Sequence, residues 1–432
     1  QLTTDQLISL TSVQVPVLTT AQVAALTTEQ AAALTTNQVN KLTTAQVAAI
    51  ETADLVKMST DQIVALTTDQ VPALTVSQVE NLTTAQIAAI ETADLVKMTT
   101  AQIAGLTSVQ ISALTTDQVV KLTTDQIQAI QTLDFQQMTT GQIAALTDTQ
   151  VPVVTTAQIV ALTTAQAAAL TPNEVSKLTT AQVAAIETAD LVKMTTAQIV
   201  ALTTDQVPAL TVSQVENLTT AQIAAIETAD LRAMSTTQIA GLSSVQLNAL
   251  TSVQLQALGS GQVQALTSTQ LNNLNTTQLA GLTSGQVQNL SSNQLNALTS
   301  VKLQALETGD VKALSSTQIQ SLSSTQINSL STSQVKALSN DQLRALSATQ
   351  LNSLSTTTVQ ALESTQINAL TSTQVGGLTA AGVFNKLSTA QVAVLSSDVL
   401  RAAATSAVQG ISTTQLNALV SSQIQALTSS QV

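Results

Sequence analysis

The sequence has no histidine, cysteine, tryptophan or tyrosine, and its two phenylalanines are Phe135 and Phe384. Without histidine and cysteine, the common Ser-His and Cys-His nucleophiles, thiol chemistry and most transition-metal sites are excluded. The lack of cysteine also excludes a disulfide framework. We therefore predict that the protein is not an enzyme and that it has no catalytic, cofactor-binding or metal-binding residues.

Charged residues are scarce, at 9% of the chain, and they are mostly acidic: 25 Asp and Glu against 13 Lys and Arg, for a net charge of −12. Such a chain lacks the basic footprint that binding to nucleic acid requires. It also has no apolar run near the roughly 18 residues of a membrane-spanning helix, and no signal-peptide pattern. We predict neither a nucleic-acid partner nor insertion into a membrane.

What the chain does have is a repeat of eight residues. Leucine or another apolar residue recurs every eight positions from Leu2 to Leu378, one extra residue is inserted around Phe384, and the series resumes at Leu387. The whole chain contains 54 such octads. We letter the positions of an octad a to h from this residue, so that "LTTAQVAA" at Leu42–Ala49 has Thr at b and c, Gln at e and Val at f.

The pattern of each octad predicts the start of a helix. Thr at b and Gln at e, as in Thr43 and Gln46, form a capping box. The apolar residues at a and f, as in Leu42 and Val47, have the spacing of a hydrophobic staple around that cap. "TPNE" at Thr171–Glu174 adds a proline at the first helical position, where the missing amide hydrogen has no cost.

The placement of charge supports the same prediction. Of the 25 acidic residues, 23 lie at positions b to e, and 12 of the 13 basic residues lie at g or h; Lys302 is the exception. Acids near the N-terminus and bases near the C-terminus of a helix are stabilised by the helix dipole. A strand has no reason to separate charges in this way.

Two observations favour the alternative, a β-solenoid. Thr, Val and Ile are good strand formers, and proline lies at position g in Pro16, Pro72, Pro152 and Pro208, where a long helix would lose a hydrogen bond. In a helix of one or two turns, however, position g lies near the end. A β-solenoid would also need Gly, Asn or Asp at regular corners, and the chain has only 12 glycines.

Because a helix of six or seven residues is not stable alone in water, each octad needs neighbours on both sides, as in a solenoid. We predict an all-α solenoid of very short capped helices, one per octad. Positions a, f and often h are expected to form the core, and c, d, e and g to face solvent. We divide the chain into regular octads at 1–377, irregular octads with the insertion at 378–410, and regular octads at 411–432.

The irregular segment has two interpretations: a decayed or irregular repeat, or a kink or partner-docking point with Phe384 as its anchor. The ends are unusual too, because the sequence begins at position h with Gln1, ends at position f with Val432, and has no polar capping octad. Since solenoids need caps for solubility, we expect either a segment of a longer chain or a subunit that stacks end to end.

The most site-like motif is "ETAD", which places two carboxylates three residues apart and occurs at Glu51/Asp54, Glu91/Asp94, Glu187/Asp190 and Glu227/Asp230. Two carboxylates are too few for a Ca²⁺ site, which takes six to eight oxygen ligands. Acids are expected at the start of a helix in any case. We therefore interpret these pairs as structural.

The runs "LTTAQVAALTTEQ" (Leu18–Gln30) and "LSSTQINSLSTSQVKAL" (Leu322–Leu338) resemble the octapeptide-repeat (LTTxQVxA) regions of very large bacterial secreted or cell-surface proteins. The resemblance covers nearly the whole chain and includes no catalytic residue. It implies an extracellular or cell-surface location and a structural or adhesive role.

Together these observations predict a structural extracellular repeat protein that forms or extends a filament, sheath or stalk by end-to-end stacking, with other copies of itself as partners. The alternative is an adhesin or ice-binding module that presents rows of Thr and Gln to a glycan or another surface.

Overall fold

A computed structural model describes residues 2–432, and over this range it contains helices and turns and no strand. The predicted all-α solenoid is confirmed, and the alternative β-solenoid is wrong. No helix in this range is long and apolar enough to cross a membrane. The chain divides into two compact units, which we call the N-terminal unit (residues 1–218) and the C-terminal unit (residues 219–432).

The helices of the N-terminal unit have three to six residues each. Its α-helices span Thr4–Ile8, Thr20–Ala24, Thr28–Ala33, Thr36–Lys41, Thr44–Ala49, Thr52–Leu55, Thr60–Val64, Val76–Glu80, Thr84–Ala89, Thr92–Leu95, Thr100–Ala104, Ser108–Ala113, Thr116–Lys121, Thr124–Ala129, Thr132–Phe135, Thr140–Ile143, Thr156–Val160, Thr164–Ala169, Pro172–Lys177, Thr180–Ala185, Thr188–Leu191, Thr196–Val200 and Val212–Asn217. Its 3-10 helices span Val15–Val17, Val71–Ala73, Val151–Val153 and Val207–Ala209.

All helices of the C-terminal unit are α-helices of four to six residues. They span Thr220–Ala225, Thr228–Ala233, Thr236–Gly241, Ser244–Ala249, Ser252–Ala257, Ser260–Ala265, Ser268–Asn273, Thr276–Ala280, Ser284–Gln288, Ser292–Ala297, Ser300–Ala305, Thr308–Ala313, Ser316–Ser321, Ser324–Ser329, Thr332–Ala337, Asn340–Arg344, Ala348–Asn352, Thr356–Ala361, Ser364–Ile367, Ser372–Gly376, Val383–Lys386, Thr389–Ala393, Ser397–Ala402, Thr405–Gln409, Thr413–Leu416 and Ser421–Ala426.

The capping box sets where these helices begin. Thr43 has extended backbone angles (φ −75°, ψ 159°), its hydroxyl accepts from the Gln46 amide at 3.2 Å, and Gln46 Oε1 accepts from the Thr43 amide at 2.7 Å. The helix ends before Ile50, which returns to extended angles (φ −61°, ψ 128°). The chain therefore changes direction at position a of each such octad, and the predicted capped helix start is confirmed.

Helices three octads apart pack against each other. In the N-terminal unit Thr20–Ala24 contacts Thr44–Ala49, and in the C-terminal unit Thr236–Gly241 contacts Ser260–Ala265. Within each unit, one turn of the solenoid is therefore complete after three octads. We call one such turn a layer.

The core contains the residues at positions a and f, such as Leu82 and Ile87, which are 4% and 1% exposed. Two details of the prediction are wrong. Position h is mostly half-buried or exposed, as at Ala49 and Lys57. Position e, which we expected to face solvent, is buried: Gln46 and Gln86 are 1% and 2% exposed. An amide can be buried at this position because the fold satisfies its hydrogen bonds, as described below.

The prolines at position g change the helix type and leave the layer intact. Each of the four 3-10 helices has its proline as second residue, for example Pro72 within Val71–Ala73. Because a proline has no amide hydrogen to donate in an α-helix, these octads end in the tighter turn of a 3-10 helix. Gln70 just before this helix still makes both of its bonds to the preceding layer.

A turn before the helix Val383–Lys386 accommodates the one extra residue of the insertion. Phe384 is 2% exposed and lies in the register of position f, since Gln415 donates to its carbonyl oxygen 31 residues earlier at 3.0 Å. Because this side chain lies in the core, the interpretation of Phe384 as the anchor of a docked partner is wrong. The division of the chain at 378–410 stays a prediction.

Candidate functional site: the buried glutamine ladder

The glutamine at position e joins one layer to the layer before it. Gln86 Oε1 accepts from the Thr83 amide at 2.8 Å, which closes the capping box of its own helix. Gln86 Nε2 donates to the carbonyl oxygens of Leu55 and Met58, both at 2.9 Å. These carbonyls lie 31 and 28 residues earlier, at the end of a helix in the preceding layer.

This arrangement accounts for polar groups that short helices leave without partners. The last carbonyl groups of a helix have no donor inside it, and burying one without a donor costs about 1–3 kcal/mol. The same bonds to residues 31 and 28 positions earlier recur in both units, at Gln46, Gln78, Gln102, Gln126, Gln158, Gln182, Gln206, Gln262, Gln294, Gln334 and Gln366. We call this series of bonds the glutamine ladder, and the space between the two carbonyl oxygens the corner slot.

Two lysines replace the amide in the corner slot. Lys302 stands at position e, and its Nζ donates to the Leu274 carbonyl oxygen, 28 residues earlier. In the octad with the insertion position e is Gly382, and Lys386 reaches back so that its Nζ donates to the Leu354 carbonyl oxygen at 2.5 Å. This explains the one basic residue outside positions g and h, because an ammonium group supplies the donor that the carbonyl needs.

Some asparagines at position g take over the second role of the ladder glutamine, which is to accept a hydrogen bond from the cap amide. In four octads of the C-terminal unit whose position e does not accept from the cap amide, the Oδ1 of an asparagine four octads earlier accepts instead. Asn272 does so for Thr299 at 3.0 Å, and Asn328 does so for Ser355 at 2.7 Å. The other two pairs are Asn352 with Thr379 and Asn368 with Ser396. The position e residues that are compensated in this way are Lys302, Thr358, Gly382 and Val399.

Sequence reasoning missed these asparagines, although a signal was present. The separation from Asn272 to Lys302 equals the separation from Asn328 to Thr358 and from Asn352 to Gly382. A search for residues that accompany each departure from Gln at position e would have found this constant spacing. The relation is not visible within a single octad, because the asparagine lies four octads before the residue that it compensates.

Aspartate at position e behaves differently, because its side chain is shorter than that of glutamine. Asp54 Oδ1 accepts from the Thr28 hydroxyl at 2.8 Å, and Asp310 Oδ1 accepts from the Ser284 hydroxyl at 2.9 Å. Both hydroxyls belong to position c of the octad three earlier. Burial raises the pKa of Asp310, the hydrogen bonds from Ser284 and from the Glu307 amide lower it, and the charge of Glu307 raises it.

The four "ETAD" pairs are split between the surface and the core. Their glutamates are exposed and make no side-chain cap bond, whereas their aspartates are 4% exposed. One carboxylate oxygen of Asp54 and one of Asp190 are buried without a hydrogen-bond partner. Burial, and then the charge of the glutamate three residues earlier, raises the pKa of Asp94 and of Asp190.

These pairs do not combine into a larger acidic site. Asp54 and Asp94 lie five octads apart, and five octads are not a whole number of three-octad layers. Across residues 2–432 no group of three or more acidic side chains is arranged to hold a metal ion. That the chain has no metal-binding or catalytic residue stays a prediction.

A comparison with curated proteins finds no match. The ALTTAQ repeat family matches at residues 14–44, 47–84, 87–124, 127–164, 183–220, 223–260, 255–292, 303–340, 337–372 and 350–380. Matches at 47, 87, 127 and at 183, 223 begin five octads apart. The matches together cover more than half of the sequence, and the chain belongs to the ALTTAQ repeat family.

Proposed function

We propose that the chain is a structural repeat protein that works outside the cell as part of a filament, sheath or stalk. The glutamine ladder carries this proposal. The same two bonds join successive layers within each unit, so length can grow by adding octads without a new kind of contact. Such a design suits a spacer or a fibre, whose task depends on length and continuity.

The partner that we propose is another copy of the chain. Each interior layer offers carbonyl acceptors toward the next layer and amide donors toward the previous one. Gln86 Nε2 donates to the Leu55 carbonyl oxygen of the previous layer, and the Ile87 carbonyl oxygen accepts from Gln118 Nε2 of the next. A layer is therefore complementary to a layer of the same kind, whichever chain supplies it. Stacking of copies would continue the ladder and bury the same leucine and valine core.

We also propose that the chain is not an enzyme and that it lies at the cell surface or beyond it. The resemblance to bacterial secreted and surface repeats supports the location. The buried glutamines support a structural role, because their polar atoms are occupied by hydrogen bonds between layers. Fractionation of the native host, with an antibody against the chain, tests the location; a purely cytoplasmic signal would contradict it.

Electron microscopy and sedimentation of the purified chain over a range of concentrations test assembly. We expect fibres many times longer than one chain, and a sedimentation coefficient that rises with concentration. A matched variant carries Gln158→Ala, Gln166→Ala and Gln182→Ala, and we expect it to assemble poorly. Compact particles of single-chain mass at every concentration would contradict the proposal of self-assembly.

An adhesive role is the second candidate. The hydroxyls at position c, such as those of Thr60 and Thr84, are exposed, whereas the glutamines expected in the same rows are buried. A glycan or a solid surface would therefore meet the threonines of position c without the glutamines of position e. Saturable binding to a glycan array, or thermal hysteresis, that is lost when Thr60 and Thr84 become valine would favour this role over the structural one.

A further inference from the structure

Glu174 occupies the place of a ladder glutamine but presents an acceptor where the ladder needs a donor. Its Oε2 accepts from the Thr171 amide at 2.5 Å, as glutamine Oε1 does in other octads. Its side chain has the length of glutamine and is 2% exposed, and Oε1 is buried without a hydrogen-bond partner.

The neighbouring octads show what Oε1 faces. In the next octad Gln182 Nε2 donates to the carbonyl oxygens of Val151 and Val154, at 2.8 and 2.6 Å. The same register, counted from Glu174, gives the carbonyl oxygens of Ile143 and Leu146. An ionised carboxylate there would bring a third acceptor against two acceptors, which is unfavourable in a buried site.

Every side chain shown to fill a corner slot is a donor. Gln182 and its equivalents offer an amide, and Lys302 and Lys386 offer an ammonium group. A carboxyl group joins this set only when it carries its proton, because the neutral acid has one O–H donor and keeps an acceptor. In that form it has the hydrogen-bonding pattern of the glutamine that it replaces.

We propose that Glu174 is a pH-sensitive latch: as the neutral acid it donates from Oε1 to the Leu146 carbonyl and holds two layers together. The proton is taken from solvent and returned to it, with no covalent change. When the proton leaves, the interlayer bond is lost and the carboxylate repels the carbonyl oxygens. The layers around Pro172–Lys177 then open more often.

The charges near Glu174 agree with this assignment. The helices packed against Pro172–Lys177 are Val151–Val153 and Thr196–Val200. The octad of the first contributes Asp148, and the second has no charged residue. Lys177 of the same helix pairs with Asp148 at 3.7 Å. Burial raises the pKa of Glu174, two hydrogen bonds from Thr171 lower it, and the charge of Asp148 raises it.

The experiment compares the full chain with its Glu174→Gln variant by amide hydrogen exchange between about pH 4 and about pH 8. In the native protein we expect the amides of residues 173–177 and of the adjoining layers to open more often as the pH rises. In the variant this component should be absent, and opening near pH 7 should be about tenfold rarer than in the native protein. Because glutamine is the usual residue at this position, the variant is expected to fold.

Two further variants keep the test specific. Gln182→Glu should create a second latch, with new pH-dependent opening in its own layer. Glu80→Gln, at an exposed glutamate of position g, should change nothing. The infrared carbonyl band of a protonated acid should be present in the native protein at about pH 5 and weaker in Glu174→Gln. Equal opening profiles for the native protein and Glu174→Gln, or an unchanged infrared band, would overturn the proposal.

Discussion

The N-terminal and C-terminal units share the glutamine ladder but differ in what supports it from outside. In the C-terminal unit, side chains at position g reach the following layer: Asn328 Nδ2 donates to the Ser353 carbonyl oxygen at 2.9 Å, and Asn352 Nδ2 donates to the Gly377 carbonyl oxygen at 2.9 Å. In the N-terminal unit position g is mostly Ala, Val or Pro. A bond of this kind is made there by Asn40, which donates to the Ala65 carbonyl oxygen at 3.2 Å.

This difference between the units shows how the ladder accommodates residues other than Gln at position e. In the C-terminal unit the departures from Gln at position e to Lys, Thr, Gly and Val are each accompanied by an asparagine that takes over the cap amide. In the N-terminal unit the departures are Asp and Glu, which keep an acceptor but lose the donor. At these four positions the C-terminal unit therefore replaces the missing acceptor from outside. Both units keep carboxyl groups inside the ladder, at Asp54 and Glu174 in the N-terminal unit and at Asp230 and Asp310 in the C-terminal unit.

The largest expected effect comes from removing one ladder glutamine from each unit. Gln78→Ala removes the acceptor for the Thr75 amide and both interlayer donors, so we expect a loss of about 4 kcal/mol in the local free energy of unfolding. Gln278→Ala should cost about 1 kcal/mol less, because the Asn248 side chain also accepts from the Asn275 amide, at 3.2 Å. Hydrogen exchange of the affected layers measures both values.

The control for this pair is Gln320→Ala, at an exposed glutamine of position g, which should change stability by less than about 0.5 kcal/mol. Equal losses at Gln78 and Gln278 would mean that the outer asparagine adds nothing.

The second largest effect tests whether an asparagine at position g replaces the acceptor that position e lacks. Asn328→Ala removes the acceptor for the Ser355 amide and for the Thr358 hydroxyl, and we expect a loss of about 2 kcal/mol. Adding Thr358→Gln should recover most of it, because the usual ladder residue is then restored. Asn289→Ala is the matched control, since that side chain bonds to Gly285 of its own helix. No recovery in the double variant would refute the compensation.

A third, smaller effect concerns pH. The pKa values of Asp94, Glu174 and Asp190 in the N-terminal unit, and of Asp310 in the C-terminal unit, are raised by burial. A raised pKa means that the folded state binds the proton more tightly, so stability is full below the ordinary value and falls as the pH rises through the folded value.

We therefore expect acidification from neutral pH to stabilise the N-terminal unit more than the C-terminal unit, as measured by hydrogen exchange in each. Asp94→Asn combined with Asp190→Asn and Glu174→Gln should make the two pH profiles alike. A steeper dependence in the C-terminal unit would contradict this assignment.

The smallest effect is expected from the prolines, which place 3-10 helices in the N-terminal unit only. Pro72→Ala restores an amide donor within Val71–Ala73, and we expect an α-helical turn with a change in stability below about 1 kcal/mol. Carbon chemical shifts from NMR report the helix type. Pro172→Ala, at a first helical position, should leave its helix α-helical, and a shift away from α-helical values there would contradict the positional argument.

Much of the fold could be predicted from single octads. Thr43 and Gln46 indicate a helix start, Leu42 and Val47 identify the core positions, and Pro172 marks a first helical position. These signals are local, because capping and staple contacts join residues within one octad. The burial of position e could not be predicted in this way, since a glutamine alone is a polar residue that favours solvent.

The sequence by itself therefore determined where each capped helix begins and which leucine and valine positions form the core, since short-range hydrogen bonds and apolar spacing specify them. Only the tertiary structure decided that three octads make a layer, that Gln86 reaches Leu55 and Met58, and that Asn328 protects the cap of Ser355. These contacts join residues 27 to 31 positions apart, and a donor and an acceptor at that separation meet only when a full turn of the chain closes above the previous one.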